Sequence, residues 1–223
     1  MSDLDQFYDV CKQGDDVAVL EYFQLHKYNL NHDSIIIYLS MGKNVELVKN
    51  MIDEMGYNTG KTKMEYHILE SCLYNAVKSG DQNMIRFYIN FWDTIYIKLH
   101  PKHEDRKGQL IEHAISGVIN KLVFNGINAD GTMDVKGVGV NFDIVNLFLE
   151  KECDPRDFFK LAVNMGNEEL LKYIIEKYKD RNFLEEYIKN NPSDYSIKKA
   201  TDLYNSTTNP SMLQKARRWV NFF

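Results

Sequence analysis

A candidate phosphate-binding loop lies at residues 56–62, where the sequence is GYNTGKT. A phosphate-binding loop has four residues between its two glycines, follows a buried strand and precedes a helix. Here three residues separate Gly56 from Gly60, and the preceding residues 45–55 have the apolar spacing of a helix. The sequence therefore favours a helix-terminating turn with an exposed Lys61 over a nucleotide site.

Three histidines, His100, His103 and His113, are the other candidates for chemistry, because imidazole groups at short spacing on a helix can bind zinc. Pro101 lies between the first two, and charged residues surround them. We therefore expect residues 99–108 to form a solvated loop rather than a metal site. The sequence predicts no catalytic residue, no metal and no cofactor.

Composition limits the classes of protein that the chain can belong to. With 223 residues and 44% hydrophobic content, the chain is long enough and apolar enough to fold around a core. A net charge of −5 argues against a general nucleic-acid binder, although it leaves a local basic patch open. Three widely spaced cysteines indicate no disulfide framework, and the acidic start of the chain has no apolar leader. We expect a cytoplasmic protein that does not span a membrane.

A glycine between two short amphipathic helices recurs along the chain, and we predict that these glycines are structural hinges. The five are Gly14, Gly42, Gly80, Gly139 and Gly166. Glycine suits the end of a helix because it adopts positive φ at little cost. The intervals between them are 28, 38, 59 and 27 residues, so the longest interval contains an insertion near 125–139. Residues 125–137 of that insertion are rich in Gly, Asn and Asp, which predicts a loop.

The best-defined of these segments resembles an ankyrin repeat. Residues 166–175 (GNEELLKYII) are similar to the second ankyrin helix, and residues 159–163 (FKLAV) resemble the first. Residues 44–52 (NVELVKNMI) match nearly as well, and the resemblance extends over residues 4–180. No Thr-Pro-Leu-His segment opens a repeat. Degenerate arrays of this kind look like those of large DNA viruses. The amino-acid composition of this chain also fits such a source.

The pattern predicts an all-α fold, a stack of ankyrin-like helix pairs with little or no sheet. About five pairs would occupy residues 1–180, and residues 181–223 would form a helical cap. The predicted helices cover 3–13, 16–26, 33–41, 44–55, 64–79, 81–97, 109–124, 141–151, 155–165, 167–179, 184–190, 194–204 and 210–220.

Two aromatic segments leave alternatives open. The helix that contains Trp92 and Tyr96 is apolar nearly all round, which predicts burial, but an exposed aromatic strip could instead anchor a partner. The end of the chain, with Arg217, Arg218 and Trp219, is either part of the cap or a basic, aromatic docking tail. These five residues are the candidate partner-binding residues.

The expected function is binding of a protein partner by a helical-repeat scaffold without catalysis. The viral resemblance implies that such a partner could be a host protein, bound in the host cytoplasm. One alternative is a helical-repeat nucleic-acid binder, which would need a basic inner face. The other is an enzyme that uses Lys61 or the histidine segment.

Overall fold

The computed structural model describes residues 6–7, 9–10, 16–26, 31–42, 44–118, 123–127, 133–136, 139–151, 153–191 and 193–208. Helices dominate these residues, and the sheet among them is a two-stranded antiparallel hairpin. This confirms the predicted all-α class with little sheet. None of the described helices has the length and apolarity needed to cross a bilayer.

The helices begin and end close to the predicted positions over most of the chain. The first six are α1 Asp16–His26, α2 His32–Leu39, α3 Val45–Glu54, α4 Tyr66–Ser79, α5 Gln82–Phe91 and α6 Lys107–Ile115. The hairpin strands are β1 Val123–Ile127 and β2 Met133–Lys136. The later helices are α7 Phe142–Lys151, α8 Pro155–Met165, α9 Glu168–Lys177, α10 Phe183–Asn190 and α11 Asp194–Thr208. The predicted helix at 210–220 lies outside the described residues.

An Asn or Asp cap of one kind begins α3, α5, α7 and α9, and Asn31 and Asn182 cap α2 and α10 in the same way. An Asn or Asp side chain accepts a hydrogen bond from the backbone N–H three residues later, which satisfies a donor that has no partner inside the helix. The pairs are Asn44 with Leu47 (2.9 Å), Asp81 with Met84 (2.8 Å), Asn141 with Ile144 (3.3 Å) and Asn167 with Leu170 (2.8 Å). Helices α3, α5, α7 and α9 therefore start in the same way.

The buried residues of these four helices also fall at the same distances from the cap. Each helix buries the third, fourth and seventh residues after its cap, the spacing of a single apolar helix face. The buried sets are Leu47, Val48 and Met51; Met84, Ile85 and Tyr88; Ile144, Val145 and Phe148; and Leu170, Leu171 and Ile174. Cap and apolar face together define one recurring local unit.

Two of the predicted hinge glycines end a helix in the left-handed conformation. Gly80 follows α4 with φ 75°, and Gly166 follows α8 with φ 67°. Gly42 does not adopt positive φ, because it lies two residues before its cap, Asn44, whereas Gly80 and Gly166 immediately precede theirs. The expectation of positive φ is therefore wrong for Gly42. Gly139 is exposed and also lies two residues before a cap, while Gly14 is outside the described residues.

The long insertion lies between α6 and α7. Helix α6 ends at Ile115 and a 3-10 turn follows at Ser116–Val118, so the predicted helix 109–124 is too long. The hairpin pairs Phe124 with Val135 and Ile127 with Met133, which replaces much of the loop predicted at 125–137. Asn125, Gly126 and Asp134 lie within the strands, so residues that favour turns did not prevent strand pairing here.

The segment after α5 also differs from its prediction. Helix α5 continues through a π-helical turn at Trp92–Tyr96 and a last α-helical turn at Ile97–Leu99. A 3-10 helix at Pro101–Arg106 then leads directly into α6, where a loop was expected over 99–108. Proline at the start of this turn is compatible with helix because its missing N–H would have no helical partner there.

The chain divides into two compact units, Met1–Leu147 and Phe148–Phe223, with the boundary inside α7. In the first unit, α4 contacts α2, α5 and α6, and α3 contacts α2 and α5. In the second unit, α8 contacts α9, α10 and α11, and α9 and α10 each contact α11. The division into repeats at 1–180 and a cap at 181–223 stays a prediction.

Candidate functional site

The GYNTGKT segment is a turn that follows a helix, as expected. Helix α3 ends at Glu54 just before it, so no strand leads into the turn. Gly56 and Gly60 have φ values of 76° and 71°, and the Gly56 carbonyl accepts hydrogen bonds from Thr62 N–H (3.3 Å) and Thr59 Oγ1 (3.1 Å). Lys61 is exposed. The structural context of a phosphate-binding loop is therefore missing around these residues.

Two histidines of this segment pack against aromatic rings, and the segment is a 3-10 helix rather than a loop, although most of its residues are solvent-exposed as predicted. His103 Nδ1 lies 2.9 Å from the Tyr96 hydroxyl, and the His100 ring centroid lies 4.5 Å from that of Tyr96. Burial, together with the neighbouring His103 and Lys63, lowers the pKa of His100. His113 is separate from both and packs on Tyr74, with ring centroids 5.2 Å apart. The described residues contain no cluster of three or more metal-ligating side chains.

Trp92 and Tyr96 are structural rather than exposed anchors. Each is only 1% exposed, and their stacked rings have centroids 5.0 Å apart. The candidate role of these two residues in partner binding is therefore wrong, and the alternative of burial is confirmed. Both side chains lie on the buried face of the helix, whereas Arg86, Asn90 and Asp93 are exposed, so the helix is amphipathic and not apolar nearly all round. Arg217, Arg218 and Trp219 lie outside the described residues.

A buried polar cluster, which the sequence did not reveal, joins α2, α4 and α5. The Ser40 hydroxyl lies 2.5 Å from that of Tyr88 and 2.6 Å from the carbonyl oxygen of Ile36. Burial raises the pKa of Cys72 to about 12, although hydrogen bonds with Ser40 and Tyr88 act in the opposite direction. A thiol with a raised pKa stays protonated at neutral pH and is a poor nucleophile. The cluster therefore pairs buried polar groups with one another.

A second polar contact ties the turn after α3 to α2. Tyr57 is 1% exposed, and its hydroxyl donates to the Asp33 carboxylate at 2.6 Å. Burial and this neighbouring carboxylate both raise the pKa of Tyr57, so the phenol stays neutral. The burial of Tyr57 could not be predicted from its neighbours in the sequence, because its partner Asp33 lies 24 residues away in the chain.

One surface among the described residues that can accept a ligand is a groove in the second unit, between the start of α9 and the length of α11. Its cavity volume is about 470 Å³, within the range of ligand sites. Tyr195 is 76% exposed at this groove, and the Lys199 ammonium donates to the Asn164 carbonyl at 2.6 Å. The lining residues are Gly166, Glu168, Tyr195, Lys198, Lys199, Asp202, Leu203 and Ser206.

The groove combines aromatic, apolar and charged side chains. It offers an aromatic ring, apolar carbon from Leu203, two ammonium groups and two carboxylates. Amphipathic spacing could have assigned α11 to the surface, but its contact with α9 depends on the tertiary fold.

Comparisons with known protein families, curated proteins and solved structures find no match to this chain. The resemblance to ankyrin repeats therefore rests on the sequence pattern alone.

Proposed function

We propose that this chain is a helical-repeat scaffold that binds a protein partner and performs no catalysis. The observation that carries the proposal is the recurring unit of an Asn or Asp cap followed by buried residues at the third, fourth and seventh positions. A helix pair of this size cannot bury its apolar face alone, so such units stack on one another. Stacked units present extended surfaces, whose usual function is to hold another macromolecule.

The ankyrin resemblance supports a stacked solenoid and a protein as the ligand. The likeness to ankyrin-like arrays of large DNA viruses extends the proposal to a host protein as the partner and the host cytoplasm as the location. The net charge of −5 favours a protein over nucleic acid, because a general nucleic-acid binder needs excess positive charge.

The α9–α11 groove is the proposed contact surface. Tyrosine is enriched among the residues that dominate binding energy, because its ring buries much area and its hydroxyl can still form hydrogen bonds. Tyr195 is 76% exposed in the groove, with Lys198 one helical turn away and also exposed. A partner helix or loop could cover the tyrosine ring while its polar groups meet the lysines and carboxylates.

The test is affinity purification of the full chain from native cells with mass spectrometry, followed by binding measurements with the purified candidate. The double variant Tyr195→Ala/Lys198→Glu should bind at least about tenfold more weakly. The control Leu25→Ala/Lys179→Glu removes another exposed apolar side chain and reverses another exposed lysine, and it should bind like the wild type. Equal loss in both variants would contradict the groove assignment.

Titration calorimetry with ATP and GTP in the presence of magnesium tests the enzymatic alternative. We expect no saturable binding, and we expect Lys61→Ala to leave stability nearly unchanged because this side chain is exposed in a turn. Micromolar binding that disappears in the Lys61 variant would overturn the non-enzymatic proposal.

A further inference from the structure

The turn after α3 and the end of the α5 helix meet on the surface of the first unit. A Cβ atom built on Gly60 would lie 3.2 Å from Leu99 Cδ2, so the glycine lies directly against the leucine. Leu99 nevertheless keeps 39% of its surface exposed. Lys61 follows Gly60 in the chain, and Lys98 precedes Leu99. The contact therefore brings two lysines from distant segments to one exposed leucine.

Three exposed lysines lie close in sequence to the two residues of this contact. Lys61, Lys98 and Lys102 are exposed and take part in none of the ion pairs in the described part of the chain. Lys63 is also exposed but bonds to Glu65 at 2.8 Å, and both of these charges act on the pKa of His100. We name the surface formed by Lys61, Lys98, Leu99 and Lys102 the lysine edge.

We propose that the lysine edge binds an acidic segment of a protein that carries an apolar residue among its carboxylates. Three ammonium groups that form no ion pair with the described residues complement several carboxylates, and the exposed Leu99 offers an apolar contact on the same surface. Charges of this kind guide a partner to the surface and fix its orientation more than they add affinity. The assignment rests on the proposed protein-binding function and adds a second surface in the other unit.

The carboxylates around the edge favour a short peptide over nucleic acid. Glu104 and Asp105 are exposed immediately beyond Lys102, and Glu65 lies next to Lys63. A continuous phosphate backbone would have to pass these negative charges, whereas a short acidic segment can end before them. The edge therefore has room for a few anionic groups around one apolar side chain.

The experiment measures fluorescence anisotropy of a labelled peptide, EDEELLEEDE, with the full chain at low salt. The variant Lys61→Glu/Lys98→Glu/Lys102→Glu should bind at least about tenfold more weakly, and the corresponding triple glutamine variant should show an intermediate loss. The control Lys78→Glu/Lys179→Glu/Lys189→Glu changes net charge equally at three other exposed lysines and should bind within about twofold of the wild type. Matching circular dichroism spectra would show that all variants fold.

Two results would overturn the assignment. One is an equal loss in the control variant, which would indicate general charge attraction. The other is equal or tighter binding of a single-stranded oligonucleotide that depends on the same lysines, which would indicate nucleic acid. The groove variant Tyr195→Ala/Lys198→Glu separates this inference from the proposed function. If the groove variant loses partner binding and the wild-type chain does not bind the peptide, the lysine edge is contradicted but the proposed function is not.

Discussion

The backbone N–H of Asn141 donates a hydrogen bond to the carbonyl oxygen of Val118, with an N···O distance of 3.4 Å. The chain therefore leaves the end of α6 and returns to the start of α7 at one place, with the insertion between them. Asn141 also caps α7 through its side chain, as Asp81 caps α5. Helix α7 thus begins like α3, α5 and α9, and the insertion occupies the position of a short turn.

Replacing residues 119–138 with one glycine, which keeps the buried Val140, should leave the protein folded. Loop length contributes only weakly to stability, so the expected change in the free energy of unfolding is below about 1 kcal/mol. Urea unfolding followed by far-UV circular dichroism measures this change. As a control, replacing residues 101–106 with one glycine removes the His103 contact to Tyr96 and should lower the midpoint. Loss of cooperative unfolding in the first variant would show that the insertion is part of the core.

Alanine substitutions at three glycines should have three different effects. Gly166→Ala should cost roughly 1 kcal/mol, because φ is 67° there but no atom lies within 4 Å of the new Cβ. Gly80→Ala should cost more, because its Cβ would also lie 3.0 Å from Nδ2 of Asn141. Gly108→Ala is the control, since this residue lies in α6 with open space around it and should be neutral or stabilising.

The three variants are ranked by their denaturant midpoints. A loss at Gly108 as large as that at Gly166 would mean that left-handed backbone conformation is not the cause. Equal losses at Gly80 and Gly166 would mean that the Asn141 side chain moves aside freely.

Acid should weaken the second unit through Asp154. Burial raises the pKa of this carboxyl, but hydrogen bonds from Arg156 and the charges of Arg156 and Arg181 outweigh burial and lower it overall. A lowered folded-state pKa stabilises the fold above the unfolded-state value of about 3.9, and this contribution is lost as the pH falls through the folded-state pKa. Asp154→Asn should therefore reduce stability near neutral pH and flatten its decline in acid.

Urea midpoints measured between neutral pH and pH about 3 test this expectation. Glu54→Gln is the control, because Glu54 is exposed and belongs to none of the ion pairs among the described residues. An acid decline in Asp154→Asn as steep as in the wild type would assign the effect to other carboxylates.

Local signals in the sequence were sufficient to place many helices. Helix α8 was predicted at 155–165 and spans Pro155–Met165, because an Asp cap and a first-turn proline begin it and Gly166 ends it. The π-helical turn at Trp92–Tyr96 could not be predicted, since its residues have ordinary helical preferences. Gly42 was misjudged because the position of a glycine relative to its cap, and not its presence, decides whether positive φ is needed.

Features of the candidate sites depended on contacts between distant residues. Ser40 and Tyr88 lie 48 residues apart in the chain, so their hydrogen bond leaves no local pattern. The contact between Gly60 and Leu99 beside the lysine edge also joins residues that are far apart in the chain. Burial of Trp92 was one of two alternatives in the sequence, because an apolar helix can face either a core or a partner. Tertiary packing decided between them.

The most direct test of the proposed repeat is the stability cost of removing its caps. Asn44→Ala, Asp81→Ala and Asn167→Ala each delete a side chain that accepts from the N–H three residues later, so each should cost about 1 kcal/mol. Asn90→Ala, at an exposed position within α5, is the control and should change stability by less than about 0.5 kcal/mol. Similar losses at the three caps in urea unfolding are the predicted result, and cap variants as stable as Asn90→Ala would contradict a repeated structural unit.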